Sequence, residues 1–415
     1  MSRPLKVLVI GGGIGGLCLA HGLRAAGVDV RVHERNRTRD DWLQGYRIHI
    51  NPAGSSALHA CLPERNWAAF DASAGRPSEG FGFLDERLRR LAFIEEDMMS
   101  ADPADPIAQH RSVSRILLRT VLLDGLDDVI TYDREFTRYE IAADGRVSAH
   151  FADGSHDTGD ILVAADGANS RVRRQYLPDA RRIDTGVVAV AGKHALDGRL
   201  PASLTGGPNN IIPPRSSWMF TAVWQASPAA PGQPAIDGQD YVFWAYVAAA
   251  DRYPADVHEL DGAALQQVVL DRITDWSPDL HRLVSGSDPQ SVNPIALRSM
   301  ESVKAWPAST VTLIGDAIHN MTPLAGIGAN TALRDAAVLT RRLTGITDRA
   351  AAVPAIAEYE REMLDYGFAA VRLSLRNARQ AASDARLPRS ILKTTLRAAQ
   401  AVPPLKRAMF AGMGT

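Results

Sequence analysis

The feature that most constrains this chain is the pattern that opens it: a strand, a glycine-rich turn, a helix and a second strand. Residues 5–10 form a short apolar run, as expected of a strand buried on both faces. Gly11, Gly13 and Gly16 then supply G-x-G-x-x-G, with Leu17–Ala26 reading as a helix that stops at Gly27. Val28, Val30 and Val32 alternate with polar residues and give a second strand that ends at Glu34. Each glycine has a physical reason. The first permits a tight turn, the second lets the backbone approach a pyrophosphate, and the third allows close helix–strand packing. The helix start offers free N–H groups and a positive dipole end to phosphates. Glu34, roughly 20 residues on, stands where a carboxylate can hold ribose hydroxyls. The pattern predicts a dinucleotide site and leaves open which dinucleotide.

Farther along, Arg115–Leu126 carries leucines at helical spacing, and a hairpin is expected with Asp153-Gly154 at its turn. Ile161–Ala165 is another apolar strand, ending in Asp166-Gly167. Between about 181 and 290 the chain turns aromatic, with Trp218, Phe220, Trp224, Tyr241, Phe243, Trp244 and Tyr246 among Pro/Gly turns. That composition predicts an antiparallel sheet with one packed face. Val311–Ile314 returns to a buried strand, and a helical stretch from about Pro354 is broken near Pro388 and at Pro403-Pro404. The expected fold is therefore α/β: a Rossmann-like dinucleotide-binding domain with an inserted, mainly antiparallel β substrate domain and C-terminal helices. The expected boundaries are 1–75, 100–180 and 290–345 for the first domain, 76–99 and 181–289 for the second, and 346–415 for a helical region.

The net charge of -1 over 415 residues gives no footprint for nucleic acid or an anionic membrane. Two cysteines, Cys18 and Cys61, cannot build a disulfide framework. No stretch approaches the roughly 20 apolar residues of a membrane-spanning helix. A cytoplasmic location without integral membrane segments, as a monomer or homodimer, is expected.

Two later motifs resolve the choice of dinucleotide. Asp166-Gly167-Ala168-Asn169-Ser170-Arg171-Val172-Arg173 resembles the D-G motif of FAD-dependent monooxygenases of the para-hydroxybenzoate hydroxylase type. Gly315-Asp316-Ala317-Ile318-His319, with Pro323, Gly326 and Gly328, resembles the G-D motif of that family. The resemblance implies FAD, with Asp316 on the flavin ribitol, Pro323 beside the ring and the helix starting near Gly326 against its carbonyl edge. Such a helix end stabilises negative charge on reduced flavin. Asp166 is implied near the pyrophosphate and Arg115 near the FAD phosphates. Arg47, within Gly45-Tyr46-Arg47-Ile48-His49, is implied near the isoalloxazine. It could pair with flavin or with NAD(P)H phosphates, or be a surface cation. Ile14, Gly15, Arg35, Ala329 and Asn330 complete the expected cofactor contacts, with Arg47 and Pro323 as the candidates closest to the chemistry.

The resemblance also implies a reaction. NAD(P)H reduces the flavin, O2 gives a flavin C4a-hydroperoxide, and its distal oxygen passes to an aromatic or polyketide-like small molecule. The cofactor carries the chemistry, and the protein supplies position and dryness. The aromatic segment 218–246 suits the covering role, although core packing explains most of its members. His319 and His49 could approach the ring, but a lone histidine is more often structural. No second strand–GxGxxG–helix unit and no Cys-x4-Cys pair are present, which argues against two-dinucleotide reductases. The W-x-W-x-I-P signature of tryptophan-type halogenases is absent too. An oxidase or dehydrogenase without oxygen transfer, and a non-catalytic flavin- or drug-binding protein, remain as alternatives.

Overall fold

The computed structural model describes residues 5–38, 46–99, 102, 104–227 and 240–410. Gly45 and residues 1–4 lie outside that set. The chain divides into two compact units. One is Met1–Ser73, Val113–Ile183 and Arg298–Leu375; the other is Ala74–Ser112, Asp184–Leu297 and Arg376–Thr415.

The first unit is built on a five-stranded parallel sheet. Its strand order is Val311–Leu313, Ile161–Ala164, Lys6–Ile10, Asp29–His33 and Ile130–Thr131. Val7, Leu8, Val9 and all of Ile161–Ala164 are fully buried, which is why these strands read as unbroken apolar runs rather than alternating ones. The helices of this unit include Ile14–Ala25 and Gly328–Leu343. The chain leaves the central strand Lys6–Ile10 toward one edge and later fills the other side. The switch in direction therefore lies between Lys6–Ile10 and Ile161–Ala164, where open α/β sheets bind ligands beyond the carboxyl ends of their strands. A separate antiparallel sheet of three strands, Phe136–Ile141, Val147–Phe151 and His156–Gly159, contains the expected hairpin, with Gly154 at φ 83° in its turn.

The second unit holds a seven-stranded sheet in the order Asn293–Met300, Arg182–Ala195, Tyr241–Ala249, Ser217–Trp224, Asn209–Ile212, Gly80–Asp85 and Arg90–Glu95. From Arg182–Ala195 to Arg90–Glu95 neighbouring strands run antiparallel, except that Asn209–Ile212 runs parallel to Gly80–Asp85. Register divides the aromatics between its two faces. Trp244 and Tyr246 join Val190, Met219, Leu265, Val269 and Leu283 in a core that includes helices Gly262–Leu270 and Pro278–Ser285. Trp218, Phe220, Trp224, Tyr241 and Phe243 fall on the opposite face, because Trp224 pairs with Tyr241 and Ala222 with Phe243. The single packed face expected from composition is thus two faces, with Phe220 and Phe243 half-buried and their rings 6.3 Å apart.

The boundaries differ from the expected ones at the C-terminal side. Residues 346–415 form no region of their own. In the first unit, Tyr359 of helix Arg349–Ala382 is fully buried and donates to the Leu313 carbonyl at 2.9 Å. In the second, Leu396 and Ala399 of helix Arg386–Ala401 pack with Leu91 and Ile94 of strand Arg90–Glu95. Residues 100–112 and 290–297 also belong to the second unit. The prolines mark helix starts: Pro388 sits in the first turn of Arg386–Ala401, and Pro403 and Pro404 open the helix ending at Phe410.

Candidate functional site

Four of the features singled out in the sequence, the glycine loop, Glu34 and the D-G and G-D motifs, lie just past the carboxyl ends of parallel strands. Ile10 leads into Gly11, His33 into Glu34, Ala164 into Asp166, and Leu313 into Gly315-Asp316. The apolar strands fix the sheet, and the sheet brings these four chain turns to one edge.

At the first turn, Gly11 has φ 111°, and a side chain there would meet the Ala165 carbonyl oxygen at 2.3 Å. Gly16 is equally constrained, since a Cβ would lie 2.2 Å from the Gly11 oxygen. Gly13 is different. A Cβ there would have no protein atom within 4 Å, so protein packing does not require glycine, whereas an approaching ligand would. Gly13 caps the helix Ile14–Ala25 without a side-chain hydrogen bond, so the first N–H groups, including those of Ile14, Gly15 and Gly16, have no partner within the helix. Glu34 is buried. Its carboxylate accepts from the Gly12 N–H at 2.6 Å and from the Asn36 N–H at 2.9 Å, which ties the glycine turn to the end of the second strand. Arg35, next to it, is exposed.

The second turn is held from both ends. Asp166 Oδ2 accepts from the Arg171 N–H at 2.8 Å, while Oδ1 is buried and has no hydrogen-bond partner among the described residues. Burial pushes the Asp166 carboxyl up, opposed by the Ser170 hydroxyl and the amides of Val172 and Arg171. Arg173, buried, donates to the Ala317 carbonyl at 2.8 Å and to Ala168 at 3.1 Å, and so links the Asp166 and Asp316 turns. Arg182 donates to Asn169 Oδ1 at 2.6 Å. Asp316 is exposed between buried neighbours. Its charge supports the guanidinium groups of Arg115, Arg173 and Arg182, each of which desolvation works against. Arg115 opens the helix Arg115–Leu123.

Gly315 needs its φ of 59°, and its N–H donates to Asp335 Oδ2 at 2.6 Å. The same carboxylate receives His319 Nε2 at 2.6 Å on Oδ2 and the Tyr366 hydroxyl at 2.6 Å on Oδ1. Asp335 and His319 are fully buried. Burial alone would lower the His319 pKa, but the charge and hydrogen bond of Asp335 raise it. His319 is therefore a clamp inside the unit. Asp335 and Tyr366 were not singled out from sequence, and Arg173 stood only as the last residue of the Asp166 motif, with no role. A lone Asp within the apolar stripe Leu333, Ala336 and Val338 was the signal available for Asp335.

Pro323 opens a short 3-10 turn closed by Gly326 in the left-handed region at φ 67°. Helix Gly328–Leu343 begins after Ile327 with no side-chain cap, so its N-terminal amides near Gly328 and Ala329 lack a helical partner. Asn330, buried, accepts from the Asn51 N–H at 2.9 Å and donates to the His49 carbonyl at 2.9 Å. It thereby ties the strand Arg47–Ile50, with half-buried Arg47, to this helix start. Among the described residues no cluster of His, Cys, Asp and Glu has metal-site geometry. No helix among them is long and apolar enough to cross a membrane.

Three comparisons bear on this arrangement. A family model described as an FAD binding domain matches residues 4–194 and 280–374. The chain is 30% identical over 372 residues to the FAD-dependent urate hydroxylase of Klebsiella pneumoniae, covering 87% of this chain and 86% of that protein. It is 31% identical over 396 residues to a dual O-methyltransferase/FAD-dependent monooxygenase of Cercospora beticola, covering 87% of this chain and 44% of that protein. The chain thus spans less than half the length of the dual-function relatives it matches. Among solved structures, a candidate FAD-containing monooxygenase of Photorhabdus luminescens has a TM-score of 0.80 at 41% identity, covering 91% of this chain and 98% of that one. On these grounds the chain belongs to the FAD-binding family of flavoprotein aromatic hydroxylases and monooxygenases, of the para-hydroxybenzoate hydroxylase type.

Proposed function

We propose that the protein is an FAD-dependent monooxygenase that uses NAD(P)H and O2 to hydroxylate a small aromatic molecule. The observation that carries this reading is the gathering of three ordered motifs at the carboxyl ends of neighbouring parallel strands, with an open glycine position where packing does not call for one. The residues fit FAD on three further counts: the uncapped start of Ile14–Ala25, the unpartnered Asp166 Oδ1, and the uncapped start of Gly328–Leu343.

In this reading the amides of Gly13, Ile14, Gly15 and Gly16 hold the pyrophosphate, with Gly11 shaping the turn. Glu34 and Arg35 serve the adenosine end. Arg115 and Asp166 serve the phosphates, and Asp316 the ribitol hydroxyls. Pro323, Gly326, Gly328, Ala329 and Asn330 form the seat for the ring, with Arg47 on the strand that Asn330 anchors. Bound FAD supplies the redox chemistry, taking electrons from NAD(P)H and activating O2. The chain's own work is to orient, to exclude water and to support negative charge with the helix start at Gly328. The half-buried Phe220 and Phe243 offer an apolar face suited to an aromatic substrate. That the related Klebsiella protein is named for urate supports a flat, electron-rich ring as the substrate class.

The test uses purified protein with FAD, NADH or NADPH, and a panel of phenols, hydroxyquinolines and purines including urate. The expected result is substrate-stimulated NAD(P)H oxidation with a product heavier by one oxygen under ¹⁸O2. Hydrogen peroxide without labelled product would favour an oxidase, and absence of any flavin reduction a binding protein. Asp316→Ala is expected to lower FAD occupancy; flavin content unchanged after desalting would refute its placement.

A further inference from the structure

The flavin reading leaves residues 385–410 without a role, and their composition is unlike the rest of the chain. They hold six cations, Arg386, Arg389, Lys393, Arg397, Lys406 and Arg407, and no carboxylate, a local excess that the net charge of -1 conceals. They fold into the helices Arg386–Ala401 and Pro403–Phe410. One side of the first helix is occupied. Leu396 and Ala399 are buried in the second unit's smaller core, and Arg389 donates to the carbonyls of Ser217, Ala381 and Ser383.

The opposite side faces solvent, where a helix normally carries charge. This one does not. Leu387, Ile391, Thr394 and Ala398 recur at helical spacing and all are exposed, Leu387 by 71% and Ile391 by 57%. The next helix adds exposed Leu405 and Met409, one turn apart. The cations lie beside the stripe. Arg386 and Arg397 fall on one flank, and a cleft of about 310 Å³ is lined by Pro214, Arg215, Arg386, Arg389, Ser390 and Lys393. Lys393 is paired with Glu86 at 2.9 Å, and Arg397 reaches Asp85 at 3.9 Å. Arg215 and Arg386 are exposed and form no ion pair among the described residues.

We propose that this face docks on an anionic phospholipid surface, with Leu387 and Ile391 entering the headgroup–acyl boundary and Arg215 and Arg386 meeting lipid phosphate. An exposed apolar stripe flanked by cations and lacking carboxylates is the composition of a helix lying in a membrane interface. Charge argues against a second copy of the chain as the occupant. A two-fold contact sets the same patch against itself, which would bring Arg215 and Arg386 against basic groups, while the nearby carboxylates Glu86, Asp85 and Glu95 are already engaged by Lys393, Arg397 and Lys406. The helices are too short and too polar to span, so the protein lies on the surface. This inference does not rest on the flavin reading.

The experiment is co-sedimentation of the full-length, FAD-loaded protein with vesicles of phosphatidylcholine alone or mixed equally with phosphatidylglycerol. Partition onto the mixed vesicles should be at least ten-fold higher and should fall as salt rises. Leu387→Ser with Ile391→Ser, and separately Arg215→Glu with Arg386→Glu, should each cut it ten-fold while flavin absorbance and melting temperature stay unchanged. Three results would overturn the proposal: no preference for the anionic vesicles, inorganic phosphate binding without vesicle binding, or a dimer in light scattering that the double Ser variant converts to monomer.

Discussion

Asp335→Asn is the most informative single change in the first unit. Asp335 is fully buried and accepts hydrogen bonds from the Gly315 N–H, His319 Nε2 and the Tyr366 hydroxyl, each at 2.6 Å. Asparagine keeps the shape and one acceptor oxygen but loses the charge and the second acceptor. At least one buried donor is then orphaned, at roughly 1–3 kcal/mol, and the His319 charge loses its partner. A loss of about 2–3 kcal/mol is expected, which for a chain of this size lowers the melting temperature by roughly 2–4 °C. The pH dependence adds a second readout. The His319 pKa is raised because Asp335 outweighs the burial that would lower it. Stability from this pair is thus fully present below about pH 6.5, the unfolded value, and is lost as pH rises through the folded one. The parent should lose stability on the alkaline side, and Asp335→Asn should be flatter there. Thermal melts of FAD-free protein between pH 5 and 9 measure both effects. A variant with the parent's melting temperature and pH slope would refute the clamp.

Other changes test separate parts of the argument. Burial pushes the Glu360 carboxyl up to about 7, against the Thr312 hydroxyl that donates to it at 2.8 Å. A raised carboxyl is neutral in the fold, so stability present below pH 4.5 is lost as pH climbs to 7, by up to about 3 kcal/mol; Glu360→Gln should remove that slope in urea titrations, and a persisting slope would assign it elsewhere. Gly16→Ala drives a Cβ to 2.2 Å from backbone oxygen and should cost roughly 1–3 kcal/mol without ligand, whereas Gly13→Ala meets nothing and should leave FAD-free melting unchanged while weakening FAD at least ten-fold by fluorescence titration. If both behave alike, the open space at Gly13 is not where the cofactor approaches. Ser287→Ala strips the buried Trp244 indole N–H of its acceptor at 2.7 Å and should destabilise by about 1–2 kcal/mol in chemical unfolding; no change would mean the indole finds another partner.

How much was legible depended on whether a residue's reason was local. The parallel strands were readable because burial on both faces leaves an unbroken apolar run, as in Ile161–Ala164. The glycine turn was readable because φ 111° at Gly11 admits few alternatives. The parallel pairing of Asn209–Ile212 with Gly80–Asp85 leaves no local mark, since it joins segments more than 100 residues apart. Nor does composition say which aromatics are core. Trp244 and Phe243 are adjacent and look alike in sequence, yet strand alternation sends one into the core and the other to the opposite face. The C-terminal helices were visible as helices, but their division between two units depends on partners such as Leu313 and Ile94, far away in the chain.

The same distinction separates the three carboxylates that the motifs bring to the sheet edge. Glu34 already accepts from two backbone amides, and Asp166 Oδ2 holds the start of its following helix. Among the described residues the Asp316 carboxylate accepts no hydrogen bond, although its charge reaches three arginines. Glu34 and Asp166 therefore build the turns themselves, while Asp316 carries no such structural duty. The difference is measurable without cofactor. Glu34→Ala orphans the buried Gly12 N–H and should cost FAD-free protein about 1–3 kcal/mol. Asp316→Ala breaks no hydrogen bond and should leave FAD-free stability within about 0.5 kcal/mol of the parent, as for a surface change. Equal melting losses in the two variants would place Asp316 among the groups that hold the fold, and its assignment to the flavin ribitol would lose its support.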